Sequence, residues 1–245
     1  MPSRFILLTY NVHEAVGRDK HKNYFRIVEV IREINPDVIS LQEVDSDAGE
    51  AGENNTGGAS FMYEMIEQSL AYHGVKGITM FRKRSAYGNA IFAAKRPENV
   101  LRHDISYGHR EPRGVLECTV RIGGHTVRIL NTHLGLSKKE RHHQLNAVMQ
   151  LLQQDRKMPV VLAGDFNEWN PFGRNLNRLK NIMHMVPSHR TFPSGFPIIA
   201  LDRIFYRGGL TLTSHYVHDS RLGRTASDHR PLVATFTLGL SERNG

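Results

Sequence analysis

A chain of 245 residues, 40% hydrophobic and 23% charged, can bury a sizeable core and has the balance of a globular protein, not a disordered or fibrous one. Its single cysteine, Cys118, excludes an intrachain disulfide and a thiolate zinc cluster, and no segment approaches the ~20 apolar residues of a spanning helix. The formal charge of +8 favours an anionic partner (nucleic acid, a phosphorylated small molecule or an anionic membrane surface) without choosing among them.

The opening Met1-Pro2-Ser3-Arg4 leads into too short an apolar run for a signal peptide, so a cytoplasmic location is the expectation. Phe5 to Val12 reads as a strand whose continuous Phe5-Ile6-Leu7-Leu8 suits burial on both faces. Asn23 to Ile34 reads as a helix burying Phe25, Ile27, Val28, Val30, Ile31 and Ile34, and Asn35-Pro36 stops it. Asp37 to Val44 follows as a strand, giving an α/β unit whose strands are parallel or antiparallel on this information. Asp45 to Ser60, with four glycines and two asparagines, reads as a flexible loop, and Phe61 to Tyr72 as a second helix.

Strands are expected at Gly88 to Lys95 and Gly114 to Ile122, with Gly123-Gly124 turning the latter into His125 to Asn131 as a hairpin. Ser137-Lys138-Lys139-Glu140 is a capping box opening a helix with Leu145, Val148, Met149 and Leu152 on one face. Pro159 to Gly164, Leu201 to Tyr206, Leu210 to Val217 and Pro231 to Leu238 complete the strands. No linker divides the chain, so residues 1–240 are expected to form one domain of two packed sheets with helices outside, followed by a short polar tail at 241–245.

Polar residues recur at or just beyond the ends of these apolar runs. Asn11, Glu43, His133, Asp165 with Asn167, and Asp228 with His229 would all meet if the strands deliver them to one rim. Each alone has an ordinary reading: a surface acid for Glu43, a turn residue for Asn11 or Asp165, a satisfied histidine among fourteen. Together they offer hard oxygen ligands for a magnesium ion, which takes one or two carboxylates and completes its shell with water and phosphate oxygens. Gly164 would let the backbone approach closely while Asp165 and Asn167 point the same way by the two-residue period of a strand. His133 and His229 are candidates for proton transfer or phosphate stabilisation, with Asp202 placed to orient His229.

The ordered set Thr9-Tyr10-Asn11-Val12-His13, Leu41-Gln42-Glu43-Val44, Asn131-Thr132-His133-Leu134, Gly164-Asp165-Phe166-Asn167, Leu201-Asp202-Arg203-Ile204 and Ser227-Asp228-His229-Arg230-Pro231 resembles the endonuclease/exonuclease/phosphatase superfamily, the DNase I-like metal-dependent phosphoesterases. The resemblance spans nearly the whole chain and implies an α/β fold: a four-layered α/β sandwich of two mostly antiparallel mixed sheets flanked by helices. It implies Mg2+, with Mn2+ as a substitute, held principally by Glu43, with Asp228 as a further metal-side carboxylate and Asn11 as a metal-side or phosphate-side amide. Asp165 would position or activate water, Asn167 would hold the scissile phosphate, and His229 backed by Asp202 would be the base or the phosphate stabiliser. His133 resembles the extra histidine of the nuclease and sphingomyelinase branches, where a carboxylate often partners it; no acid stands in the expected region here.

His13 occupies a place where some branches carry an aspartate, and is either a group behind the metal or a polar residue opening a loop. Arg113 resembles a basic residue of bacterial members, and is either a phosphate contact or a solvated loop arginine. The segment from Arg190 to Ile204 is similar to small bacterial members too. The expected activity is a phosphodiesterase acting on nucleic acid, with Arg82-Lys83-Arg84, Arg110, Arg113 and Lys138-Lys139-Glu140-Arg141 tracking the backbone. The alternatives are a phospholipid or sphingolipid headgroup, a phosphorylated metabolite, and a non-catalytic binding protein on the same scaffold. Trp169, Phe172 and Phe196 are the aromatics nearest the rim, with burial in the core as their expected role.

Overall fold

The computed structural model describes residues 3–47, 61–83, 85–153, 158–170 and 173–239. Most of the loop expected after Asp45, the aromatic Phe172, Arg84 and the tail at 241–245 lie outside the described residues.

The first strand, β1 (Ser3–Asn11), continues through a short 3-10 turn to α1 (Tyr24–Ile34). The Asn23 side chain caps that helix by accepting from the Arg26 amide, and Asn35 closes it in the left-handed region at φ 47 before Pro36. Ile27, Val28, Val30, Ile31 and Ile34 are buried as the periodicity predicts, but Phe25, in the first turn, is 66% exposed. Its position lies ahead of the turns that rest on the sheet.

β2 (Val38–Ser46) runs parallel to β1, with Asn11 opposite Gln42. Then α2 (Met62–Ser69) stops short of the expected Tyr72, because Leu70 is extended and His73 already begins β3 (His73–Phe81). β4 (Ala86–Ala93) pairs antiparallel with both β2 and β3.

In the second half, β5 (Glu98–Asp104) flanks the hairpin of β6 (Gly114–Ile122) and β7 (His125–His133), whose turn glycines both have positive φ. The capping box then opens α3 (Lys138–Gln153): the Glu140 amide donates to Ser137 Oγ at 3.3 Å and the Ser137 amide to Glu140 Oε2 at 3.4 Å. β8 (Val160–Asp165) returns parallel to β7, and α4 (Arg174–Lys180), β9 (His184–Met185), β10 (Asp202–Arg207), β11 (Leu210–Val217) and β12 (Leu232–Leu238) follow.

Two six-stranded sheets result, in the orders β11-β12-β1-β2-β4-β3 and β5-β6-β7-β8-β10-β9. Each has its parallel pair at the centre, β1 with β2 and β7 with β8, and antiparallel neighbours outside. The inner faces share one apolar core, including Phe5, Ile91, Ile129, Val161 and Phe236. A second cluster packs the first sheet on α1 and α2, and a third packs the other sheet on α3 and α4. Every fully buried Leu, Ile or Phe in these layers contributes about 1.5–3 kcal/mol against conformational entropy. The strands that carry the polar residues are thus central in both sheets and cannot shift register without turning apolar side chains outward.

Candidate functional site at the shared rim

The C-terminal ends of the parallel pairs meet at one rim. Their inter-sheet floor is tied by buried amides: Gln42 Nε2 donates to Asn131 Oδ1 at 2.8 Å, while Asn131 Nδ2 donates to the carbonyls of Leu41 at 2.7 Å and Ala90 at 2.9 Å. These bonds satisfy groups that would otherwise be orphaned in the core, and they lock β2, β4 and β7 together beneath the site.

Glu43 does not stand at a strand end, as its run suggested. It sits inside β2 at a bulge where pairing with β4 slips between Leu41 and Val44, and its φ of 59 is left-handed. The bulge turns its carboxylate onto the rim while the strand continues, a costly backbone state of the kind that collects at working sites. Asn11, the last residue of β1, donates through Nδ2 to Glu43 Oε1 at 2.8 Å and to Asp165 Oδ2 at 3.1 Å.

Asp165 ends β8 and is 1% exposed. Gly164 before it lies against β7 so closely that a Cβ would fall 1.8 Å from the Thr132 carbonyl oxygen, and its φ is +148. The two-residue period does not extend to Asn167. The Asp165 carboxylate accepts from the Asn167 amide at 2.9 Å and folds the chain into a turn, with Asn167 at φ 48. That turn, not strand alternation, brings both side chains to the rim. Asp165 Oδ2 also lies 3.6 Å from His133 Nε2 and 3.7 Å from His229 Nε2.

Asp228 and His229 precede β12 instead of ending a strand, and a bracket of hydrogen bonds holds them. Ser227 Oγ donates to the Asn11 carbonyl at 2.8 Å, Ser194 Oγ to the Ser227 carbonyl at 2.7 Å, and the Ser194 amide to the Asp228 carbonyl at 2.6 Å. The Phe192 ring packs against His229, with centroids 5.0 Å apart and the planes tilted by 51°. His229 Nδ1 donates to the fully buried Asp202 Oδ2 at 2.9 Å. Burial works against charging His229, but Asp202, Asp165 and Asp228 outweigh it and push its pKa up to about 10.

His133 is the reverse: burial above all, with Arg113 and His229 adding to it against Asp165, pushes it down to about 3. The group on its Nδ1 is Arg113, whose Nη1 lies 2.9 Å away. Arg113 is 6% exposed, so it is not a solvated loop arginine; it lines a small recess at the rim together with Glu43, Asn89 and His133. His13 stands beside Asp228, its Nδ1 3.8 Å from Asp228 Oδ1, with its amide donating to Asn11 Oδ1 at 3.0 Å.

The donor set suits a hard divalent cation. Burial raises the Glu43 carboxyl pKa, as do the charges of Asp165 and Asp228, and among the described residues no Lys or Arg pairs with it. A cation would relieve that repulsion. Among the described residues, no group of three or more His, Cys, Asp or Glu closes around an ion by itself. An open site with one or two carboxylates and an amide is what Mg2+ accepts, since water and substrate oxygens fill the remaining positions.

Sequence reading missed Ser194, Ser227, Gln42 and the Arg113–His133 contact as parts of the site. Ser227 adjoins Asp228, and Ser194 lies in the Arg190 to Ile204 segment already singled out, but their pairing needs the folded chain.

Two stacked mixed sheets, helices outside and a carboxylate–carboxamide–imidazole rim define a DNase I-like α/β sandwich. The chain belongs to the Endonuclease/Exonuclease/phosphatase family, whose model matches residues 8–229. It is 29% identical over 251 residues to the YbhP protein of Escherichia coli K12, covering 96% of each chain. An endonuclease/exonuclease/phosphatase from Beutenbergia cavernae superposes with a TM-score of 0.76 at 23% identity, covering 97% of this chain and 72% of that one. ANGEL2, a 2',3'-cyclic phosphatase, superposes with a TM-score of 0.72 at 19% identity, covering 98% and 96%. The family is one of phosphoesterases whose members generally use divalent metals. Among the described residues, no helix is long and apolar enough to cross a membrane.

Proposed function

We propose that this chain is a Mg2+- or Mn2+-dependent phosphodiesterase that hydrolyses a P–O bond by in-line attack of water, with a nucleic-acid backbone as the favoured substrate. The observation that carries the reading is Asp165 Oδ2, held by Asn11 at 3.1 Å and flanked by His133 at 3.6 Å and His229 at 3.7 Å. One carboxylate oxygen is thereby shared by the group that touches Glu43 and by two imidazoles.

Glu43, Asn11 and Asp228 would hold the cation, which would supply charge neutralisation at the phosphate and leaving oxygen. Asp165 orients the attacking water and accepts its proton. His229, charged and fixed through Nδ1 by Asp202, donates from Nε2 to a phosphoryl oxygen as negative charge develops there. Asn167 positions the phosphate from the adjoining turn, with its amide nitrogen anchored 2.8 Å from the Leu134 carbonyl.

The basic track is thinner than the sequence suggests. Arg113 and Arg141 are buried, and Arg82 is paired with Glu14. Lys83, Lys138 and Lys139 remain exposed for a phosphodiester backbone, while the exposed Arg110 lies 4.0 Å from Glu140.

One observation favours a second reading, a lipid headgroup. Trp169 and Phe196, expected in the core, are 68% and 79% exposed on loops that leave the rim.

The deciding experiment assays purified protein with Mg2+, Mn2+ or EDTA on plasmid DNA, single-stranded oligonucleotides, a generic phosphodiester, a phosphomonoester and anionic phospholipid vesicles. Metal-dependent cleavage of the oligonucleotides or plasmid, abolished by EDTA, is expected. Turnover confined to vesicles would move the assignment to the lipid reading. No turnover on any substrate would favour a binding protein.

A further inference from the structure

Arg113 immediately precedes β6, and His133 ends β7. The β6–β7 hairpin, paired as far as Val115 with Thr132, brings the start of one strand and the end of the other together at the rim. Both are 6% exposed. Arg113 Nη1 approaches His133 Nδ1 at 2.9 Å, while Nη2 donates to Glu111 Oε2 at 3.2 Å. The backbone is fixed as well: the Arg113 amide donates to Ser106 Oγ at 3.1 Å, and its carbonyl accepts from the Ile105 amide at 3.0 Å.

The His133 ring therefore lies between two donors, because Asn167 Nδ2 is 3.1 Å from Nε2. A neutral imidazole has one nitrogen lone pair available and can accept from only one of them. Guanidinium has no acceptor, carries a full charge and forms the stronger bond. Each donor also has a second acceptor, Glu111 Oε1 3.1 Å from Arg113 Nη1 and the Leu134 carbonyl 2.8 Å from Asn167 Nδ2, so the charge on the guanidinium decides. The contest is settled in favour of Arg113.

We infer that Arg113 is a positioning residue: by donating to His133 Nδ1 it locks the ring with its proton on Nε2, aimed at the corner of the site next to Asp165. In that tautomer His133 can donate to a phosphoryl oxygen and cannot take a proton from water at Nε2. A carboxylate on Nδ1 would do the opposite by drawing the proton to Nδ1. Arg113 acts through the histidine and does not bind the phosphate. The kinetic half of the test rests on the phosphoesterase reading above; the spectroscopic half does not.

The test combines two measurements on the full chain. In protein labelled with 15N at histidine, long-range proton–nitrogen correlation spectra should show His133 Nδ1 unprotonated and Nε2 protonated, with the pattern lost in Arg113→Met and retained in Arg113→Lys. Steady-state kinetics should show Arg113→Met lowering kcat by about 10–100-fold with KM nearly unchanged, and Arg113→Lys recovering part of the loss. A wild-type ring with its proton on Nδ1 overturns the inference. So does an Arg113→Met enzyme that raises KM at unchanged kcat, which would make Arg113 a phosphate ligand. If Arg113→Met does not fold, the wild-type spectrum and Arg113→Lys carry the decision. If no substrate is turned over, the functional reading fails while the spectrum still decides the role of Arg113.

Discussion

Glu43→Gln is expected to lower metal-dependent hydrolysis about a thousandfold, equivalent to about 4 kcal/mol of transition-state stabilisation. Glutamine keeps the volume of the side chain and an oxygen to accept from Asn11 Nδ2, so the bulge at Leu41 to Val44 has no reason to collapse. What disappears is the charge. Stability should move the other way in the absence of metal. Burial and the neighbouring Asp165 and Asp228 raise the Glu43 carboxyl pKa above its unfolded value, so its ionisation opposes folding and stability falls as pH rises past that unfolded value. Replacing it with a neutral amide removes that opposition. Melting in EDTA at neutral pH should therefore show Glu43→Gln at least as stable as the wild type. The additional stabilisation by Mg2+ seen in the wild type should shrink or vanish, because ligand binding to the folded state is what supplies it. A variant that loses activity but also melts far lower in EDTA would indicate a structural role for Glu43.

Asp202→Asn and His229→Ala form the second large prediction. Asp202 is completely buried, accepts from His229 Nδ1 through Oδ2, and has no hydrogen-bond partner on Oδ1 among the described residues. Its charge is accordingly committed to the imidazole. Replacing the carboxylate with an amide leaves a side chain that can donate as well as accept at Nδ1, so the ring loses both its fixed tautomer and its countercharge. Each single substitution is expected to lower kcat by about a thousandfold. The double variant should be little worse than either, because Asp202 acts only through His229. Losses that multiply in the double variant would show that Asp202 contributes independently, and a full-rate His229→Ala enzyme would remove the imidazole from the reaction. Truncating one member of this buried pair also costs folding stability, so kinetics are to be read below each variant's melting range.

The central strands and the hairpin were legible because burial on one or both faces imposes a pattern on the chain. Gly114 to Ile122 and Leu210 to Val217 occur where alternation and turn glycines place them. The strands His73–Phe81 and Glu98–Asp104 were not legible. Both are sheet edges, with Lys76, two glycines, Arg102 and several exposed positions diluting any apolar run. The site divides in the same way. Asp165 and Asn11 follow apolar runs and could be read from them, whereas the tilt of Glu43 depends on a bulge opposite β4. Arg113 and His133 lie at opposite ends of one hairpin and meet only once β6 and β7 have paired. The exposure of Trp169 and Phe196 likewise follows from which loops the rim projects, a property that residue type does not encode.

Anomalous diffraction from a crystal soaked in Mn2+ tests the central claim most directly. The account predicts a manganese peak on the rim in contact with the Glu43 carboxylate, beside Asn11, Asp165 and Asp228, and its loss in Glu43→Gln crystals. A rim without manganese, with the ion found instead at the paired His189 and His215 rings, would contradict it.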